Sequence, residues 1–306
     1  MNFLKRIAIY FKEMFPLAIY IPYSVMSYYS LYFLTMAILG MKPLVLPLSS
    51  LCGLFTVFGT MLLFRIADEF KDAATDKVLF PGRPLARGAV KFSDIKILGI
   101  IIFVLMLALN ALFITLWIPF VIILLYGFLT FKWFFMENRI RNSLLLAVIT
   151  HQPLTLIVNI YIVFTVFHVI GYTVFSFPVI CALFIFFLPV VAWETSRKIR
   201  PLGEETDYVT YSKLFGPVKA SLLPLISMLV AFIMILFISY TLHFLPVIFI
   251  LLISLALIYM FFYLRFMFNP VKKNLMLKSV TEYTSILMFI IILTALIIDK
   301  GIHLAW

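Results

Sequence analysis

The sequence predicts an all-α fold: a polytopic membrane bundle of about nine transmembrane helices around a central cavity, forming a single integral membrane domain over residues 1–306. Three observations predict it. Apolar residues make up 65% of the chain and charged residues only 12%, more hydrophobic surface than a soluble core can hide. Mean hydropathy is +1.16. The apolar residues also fall into runs of roughly 18 or more, the length that spans a hydrocarbon layer.

In chain order the runs are Phe15–Gly40, Leu44–Ala67, Ile95–Phe113, Ile118–Trp133, Ser143–Phe167, Val174–Trp193, Ala220–Leu242, Pro246–Tyr263 and Tyr283–Ile298. The division between the third and fourth rests mainly on Pro119, because the linker around Leu116 carries no charge. Before the first run, MNFLKRIAIYFKEM interleaves Lys5, Arg6 and Lys12 with Phe3, Leu4, Ile7, Ile9 and Phe11. That pattern predicts a short amphipathic helix in the membrane interface. No small-residue cleavage site follows at the spacing of a secretory leader.

Basic residues set the orientation. With the amino terminus and every second loop on one side, all of the 24 Lys and Arg except Lys42 and Lys300 fall on that side. The positive-inside rule makes it the cytoplasm. The net charge of +11 is then one basic cytoplasmic face, suited to anionic membrane lipids and phosphorylated substrates. Nucleic acid is excluded as a partner, since no basic domain stands clear of the membrane. Cys52 and Cys181 fall inside apolar runs with no neighbouring ligand and read as packing residues.

Two connections are long and charged, residues 68–91 and 194–219, four spans apart, and together they are expected to form a cytoplasmic cap. The first reads DEFKDAATDKVLFPGR from Asp68 to Arg83. Asp68, Asp72 and Asp76 recur every fourth residue, so on a continuing helix they share one face with Glu69 alongside. Carboxylates so close repel unless they share a cation, and Mg2+ takes such oxygen ligands together with substrate phosphates. The competing reading is a solvated acidic helix end.

The second segment reads WETSRKIRPLGEETDYVTYSKLFG. Glu194 can meet Arg197 at i+3 or Lys198 at i+4, and Pro201 with Gly203 ends the helix before Glu204, Glu205 and Asp207. A functional reading gives those three acids a second metal and gives Arg197, Lys198 and Arg200 the phosphate oxygens. The alternative is a headgroup anchor with surface ion pairs.

Within the membrane His151, Thr155 and Asn159 repeat at four with Gln152 beside them, a polar stripe that must face the bundle. It either lines a substrate cavity or bonds neighbouring helices, with Asn110 or Ser227 as candidate partners. Pro153 is expected to kink this helix. Aromatic residues reach 17%. Most serve lipid contact and interfacial anchoring, and any facing a cavity could stabilise a carbocation through their π faces.

Span count, loop placement and the run Asp68, Asp72, Asp76, Arg83, Pro84, Leu85, Gly88 together resemble the UbiA superfamily of intramembrane prenyltransferases. The resemblance covers nearly the whole chain. It implies that Asp68, Asp72 and Asp76 bind Mg2+ bridging an isoprenyl diphosphate, which Arg83 contacts; the functional reading of the second segment adds Glu194, Glu204 and Glu205 as metal ligands. Asp68, Asp72, Asp76 and Glu194 would be the catalytic carboxylates, and Lys71, Arg83, Arg197, Lys198 and Arg200 would contact the diphosphate. The spacing-based candidates for a substrate cavity are His151, Gln152, Thr155 and Asn159, with helix-to-helix bonding as their alternative role.

The second motif departs from the family pattern, which has two aspartates at short spacing before an acidic pair. Here Glu194 comes first, and Arg197, Lys198 and Arg200 intervene before Glu204 and Glu205. Thr210, Tyr211, Ser212 and Gly216 resemble the end of that family segment. The expected reaction is prenyl transfer to a lipophilic, aromatic acceptor, with acceptor-free terpene cyclisation as the alternative. A transporter or lipid-binding scaffold would carry ionisable groups at the bilayer midplane, whereas here nearly all cluster at one face.

Overall fold

The structure, a computed structural model, describes residues 2–114, 116–201, 203–205 and 210–305. In order come helices α1 (Phe3–Glu13) and α2 (Leu17–Ile38), strand β1 (Leu44–Pro47), and α3 (Leu48–Lys71), α4 (Ala73–Leu79) and α5 (Phe92–Leu109). A π-turn over Asn110–Ile114 leads to α6 (Trp117–Phe131), α7 (Glu137–Arg141), α8 (Leu144–His151), α9 (Pro153–Ile170) and α10 (Phe177–Ser196). Then follow α11 (Tyr211–Phe215), α12 (Pro217–Thr241), α13 (Pro246–Phe268), α14 (Leu277–Lys300) and strand β2 (Ile302–Ala305).

Among the described residues seven stretches are long and apolar enough to cross a membrane: Leu48–Lys71, Phe92–Phe113, Leu144–Ile170, Phe177–Ser196, Pro217–Thr241, Pro246–Phe268 and Lys272–Lys300. The protein is an integral, multi-pass membrane protein. Two of the nine expected spans fall short of those criteria. Helix α2 has the length, 22 residues, but Tyr20, Tyr23, Tyr28, Tyr29 and Tyr32 with three serines dilute its hydropathy. Helix α6 is apolar but has 15 residues, about 22 Å of rise against a hydrocarbon layer of about 30 Å. It stops where Trp133, Phe134 and Phe135 turn to positive φ.

The chain divides into two compact units, one of residues up to Tyr28 with Pro47–Met136, the other of Tyr29–Leu46 with Glu137–Ala305. In the first, α5 packs along α3, α6 against α3, and α1 against α5. Gly59 and Gly127 permit these approaches: a Cβ would lie 2.6 Å from the Met106 sulfur at Gly59 and 2.5 Å from the Phe64 ring at Gly127. At the π-turn, a wide turn common at functional or strained points, the Asn110 amide donates to Thr56 Oγ1 at 2.8 Å and to the Met106 carbonyl at 2.9 Å. The first bond ties the turn to α3.

In the second unit α10, α12, α13 and α14 form a closed ring of neighbours, with α9 against α10. Buried polar groups join them. Tyr259 donates to the Pro224 carbonyl at 3.0 Å, the Tyr263 and Thr281 hydroxyls meet at 2.7 Å, and Phe186 stacks on Phe289 at 4.7 Å. As Pro153 predicts, the helix breaks at Gln152 between α8 and α9.

Candidate active site

The first charged segment grows directly out of α3. Helical bonding continues through it: Asp72 N–H donates to the Asp68 carbonyl and Asp76 N–H to the Asp72 carbonyl, each at 2.8 Å, and Phe80 N–H to the Asp76 carbonyl at 2.9 Å. The three aspartates therefore rise one turn apart, although Asp72 itself (φ −99, ψ 5) marks a joint between α3 and α4. The chain then turns back through bonds from Arg83 N–H to Phe80 and from Arg87 N–H to Arg83, both 3.0 Å. That turn returns Arg83 to the carboxylates.

A hollow of about 360 Å³ lies between α4, the returning turn and the start of α5. Glu69, Asp76, Lys77 and Arg83 line it, with Ala73, Ala74, Leu85, Ala86 and Phe92 completing the wall. Asp68, Lys71 and Asp72 lie outside that lining. Each of three carboxylates in this segment holds a cation of the chain. Arg83 pairs with Asp76, Arg65 with Glu69, and Lys71 with Asp68 at 3.2 Å. Lys71 also sits 4.4 Å over the Trp133 ring, and Arg83 4.4 Å over Phe80.

Helix α1 clasps this region rather than only floating in the interface. Arg6 grips Asp94 through two bonds of 2.6 and 2.8 Å, Arg87 grips Glu13 through two of 2.9 and 2.7 Å, and Arg65 donates to the Met14 carbonyl at 3.3 Å. The Arg87 hydrogen bond holds the Glu13 carboxyl below the usual carboxylate range.

The second charged segment is organised around its own ion pairs. Glu194 meets both expected partners, Arg197 at 2.6 Å and Lys198 at 3.0 Å. Helix α10 ends at Ser196, before Pro201. The loop closes as Arg200 N–H donates to Ser212 Oγ at 2.7 Å and Tyr211 N–H to the Lys198 carbonyl at 3.0 Å. Arg200 turns its guanidinium to the Arg197 and Ile199 carbonyls. Glu204 pairs with Lys272 at 3.3 Å, and Glu205 accepts from Thr210 at 2.5 Å. Asp207 lies outside the described residues.

Among the described residues no three His, Cys, Asp or Glu side chains are grouped as a metal cage. The local cations explain this, since they hold Asp68, Asp76, Glu194 and Glu204 one by one. Mg2+ does not require such a cage. It characteristically takes one or two carboxylates and completes its shell with water and phosphate oxygens, so Glu69 and Asp76, facing one hollow beside Arg83 and Lys77, fit it by donor chemistry.

In the membrane stripe the Asn159 amide donates to the Leu183 carbonyl at 3.1 Å, joining α9 to α10. This is the helix-bonding role, with a partner different from either expected one: Asn110 bonds Thr56, and Ser227 its own helix at Leu223. His151 Nδ1 lies 3.0 Å from both the Ala147 carbonyl and Thr150 Oγ1, and the Gln152 side-chain oxygen is buried without a hydrogen bond. Glu69 and Lys77 line the hollow and Arg65 pairs with Glu69, beyond the aspartates that the sequence spacing marks. The i,i+4 spacing of Arg65 and Glu69 was the available signal.

No family model matches the sequence, and no curated protein matches it significantly. Solved structures do share its fold. A digeranylgeranylglyceryl phosphate synthase in membranes is 19% identical with a TM-score of 0.62, over 97% of this chain and 99% of that one. A UbiA homolog from Aeropyrum pernix K1, in its apo form, is 17% identical with a TM-score of 0.63, over 89% of this chain and 97% of that one. With likeness of this extent, the protein is an integral membrane helical protein with a UbiA-like fold.

Proposed function

We propose that the protein is a Mg2+-dependent intramembrane prenyltransferase that ionises an isoprenyl diphosphate and transfers the prenyl group to a lipophilic, aromatic acceptor. One observation carries the reading: a single hollow beside the end of a spanning helix presents two carboxylates and two cations, Glu69, Asp76, Arg83 and Lys77. A magnesium diphosphate is the ligand whose two halves match that pairing. The UbiA-like fold and the likeness to a digeranylgeranylglyceryl phosphate synthase support the same chemistry.

In this reading Glu69 and Asp76 hold the cation, with Asp68 and Asp72 on adjoining turns completing the acidic edge. Bound there, Mg2+ would supply positive charge to the departing diphosphate. Arg83 and Lys77 bind diphosphate oxygens and stabilise the negative charge that grows as the allylic C–O bond breaks, its electron pair leaving with oxygen. The apolar helices exclude water from the allylic cation. A ring carbon of the acceptor then forms the new C–C bond and loses its proton. The basic segments Arg197, Lys198 and Arg200 and the amino terminus face the cytoplasm, where soluble diphosphate esters arrive.

The test is purified protein in lipid nanodiscs with Mg2+ and geranyl, farnesyl or geranylgeranyl diphosphate, with and without a phenolic acceptor. Acceptor-dependent diphosphate release is the expected result. A cyclic hydrocarbon formed from the diphosphate alone would replace transfer with cyclisation, and inactivity with every chain length would overturn the enzyme reading.

A further inference from the structure

Five of the nine residues that line the hollow are apolar, Ala73, Ala74, Leu85, Ala86 and Phe92, and the mechanism above leaves them idle. The charged four, Glu69, Asp76, Lys77 and Arg83, match a magnesium diphosphate alone. At about 360 Å³ the hollow stands at the low end of the ~300–1,000 Å³ that enclose a whole drug-sized ligand. A diphosphate head fits inside, and most of a long hydrocarbon chain must lie outside.

The wall of the hollow marks where such a chain leaves. Phe92 lines it and is 42% exposed. Its ring meets that of Phe70 with centroids 5.4 Å apart, and Phe70, the residue after Glu69, is 38% exposed. The ring pair therefore belongs to the hollow at one end and to the outer surface along its length. Phe70 stands at the end of the span Leu48–Lys71 and Phe92 at the start of the span Phe92–Phe113, and these two helices pack along each other. The pair thus sits at a single membrane boundary. Phe103, about three turns along α5 from Phe92 and on the same face, is exposed too. Between them Lys96, also exposed, can lay its methylenes along this track with its ammonium toward the headgroups.

We propose that Phe92 and Phe70 form the exit by which the isoprenyl chain of the substrate passes from the hollow onto the lipid-facing side of α3 and α5. The substrate is then a membrane-resident prenyl diphosphate whose chain length the hollow does not cap. The inference rests on the proposed function and names the class and path of its chain. An aromatic pair serving only as an interfacial anchor would leave the preference for a prenylated over a bare diphosphate untouched.

The experiment uses the full chain in lipid nanodiscs with Mg2+ and compares wild type, Phe70→Ala, Phe92→Ala and Phe261→Ala, the last an exposed aromatic of α13 that does not line the hollow. Kd is measured for inorganic pyrophosphate and for geranyl, farnesyl and geranylgeranyl diphosphate, the esters corrected for partition into empty nanodiscs. In wild type, affinity is expected to rise along that series with no loss at the longest chain. The ratio of the pyrophosphate Kd to the geranylgeranyl diphosphate Kd is expected to fall about fivefold in Phe70→Ala and in Phe92→Ala, as apolar contact is removed, and to keep its wild-type value in Phe261→Ala. Because either substitution can disturb packing, a geranylgeranyl diphosphate with a diazirine on its last isoprene unit is also photolysed on wild type. Labels are expected on exposed residues of α3 and α5. An unchanged ratio in either variant, an equal fall in Phe261→Ala, or labels confined to buried residues would overturn the proposal. Wild type that fails to bind magnesium pyrophosphate would overturn the proposed function as well, whereas pyrophosphate binding that no prenyl chain improves would remove only the exit.

Discussion

Arg83 holds the carboxylate of Asp76 from across the turn, and both side chains line the same hollow. On the proposed function, an incoming magnesium diphosphate would exchange with this pair, cation for guanidinium on the carboxylate and phosphate oxygens for carboxylate on the guanidinium. The ion pair would then hold the places that both ligands take.

Arg83→Met separates the two halves of that exchange. With no guanidinium competing for Asp76, Mg2+ alone should bind about tenfold more tightly, while pyrophosphate in the presence of Mg2+ should bind about tenfold more weakly, as a charge-assisted bond is lost. Calorimetric titration of each ligand measures both. A parallel weakening of the two would show that Arg83 does not guard the carboxylate.

Asp72→Asn tests the acidic edge. A neutral amide cannot balance a divalent ion, so diphosphate release should fall about 100-fold or more. Thermal unfolding should stay near that of wild type, because Asp72 sits at the joint between α3 and α4 rather than in the core. Unchanged turnover would remove this residue from the site.

The clasp of α1 should loosen in acid. Glu13 has a lowered pKa through Arg87, so its pairing is fully present above the unfolded-state value of about 4.3 and is lost as pH falls through the lower folded value. Hydrogen exchange of the amides in Phe3–Glu13, corrected for intrinsic rates, should accelerate over that interval. Glu13→Gln should exchange faster at neutral pH and lack the transition.

Packing along α3 gives a paired comparison. In Gly127→Ala the new methyl meets the Phe64 ring, a stiff neighbour, and should cost about 1–3 kcal/mol. In Gly59→Ala it meets the Met106 sulfur, on a side chain that readily changes rotamer, and the cost should be smaller. Thermal melting in one detergent ranks the two.

Features set by local spacing were legible from the residues. Asp68, Asp72 and Asp76 do follow successive turns, Glu194 does meet Arg197 and Lys198, and Pro153 does break its helix, because each follows from backbone periodicity within a few residues. Pairings over long separations were not. Arg6 and Asp94 are 88 positions apart, and nothing in either neighbourhood announces the other, so α1 read as a free interfacial helix. The polar stripe shows the same limit: spacing placed Asn159 toward the protein, but its acceptor is a backbone carbonyl of α10 that composition cannot mark. The span count blurred for a different reason. In α2 three of the tyrosines, Tyr28, Tyr29 and Tyr32, are buried, so its hydropathy reflects neighbours in the protein as well as lipid.

The interruption at Gln152 has a consequence for how the protein meets bilayers of different depth. Laid straight, Leu144–Ile170 would extend about 40 Å at 1.5 Å per residue, well beyond a hydrocarbon slab of about 30 Å. Pro153 brings no N–H to the Ile149 carbonyl, so the helical ladder lacks one bond there although Gln152 keeps helical φ −64 and ψ −33. A stretch of that length meets a thinner bilayer by tilting or by bending at the weakened turn, and bending there would leave the bond from Asn159 to Leu183 in place.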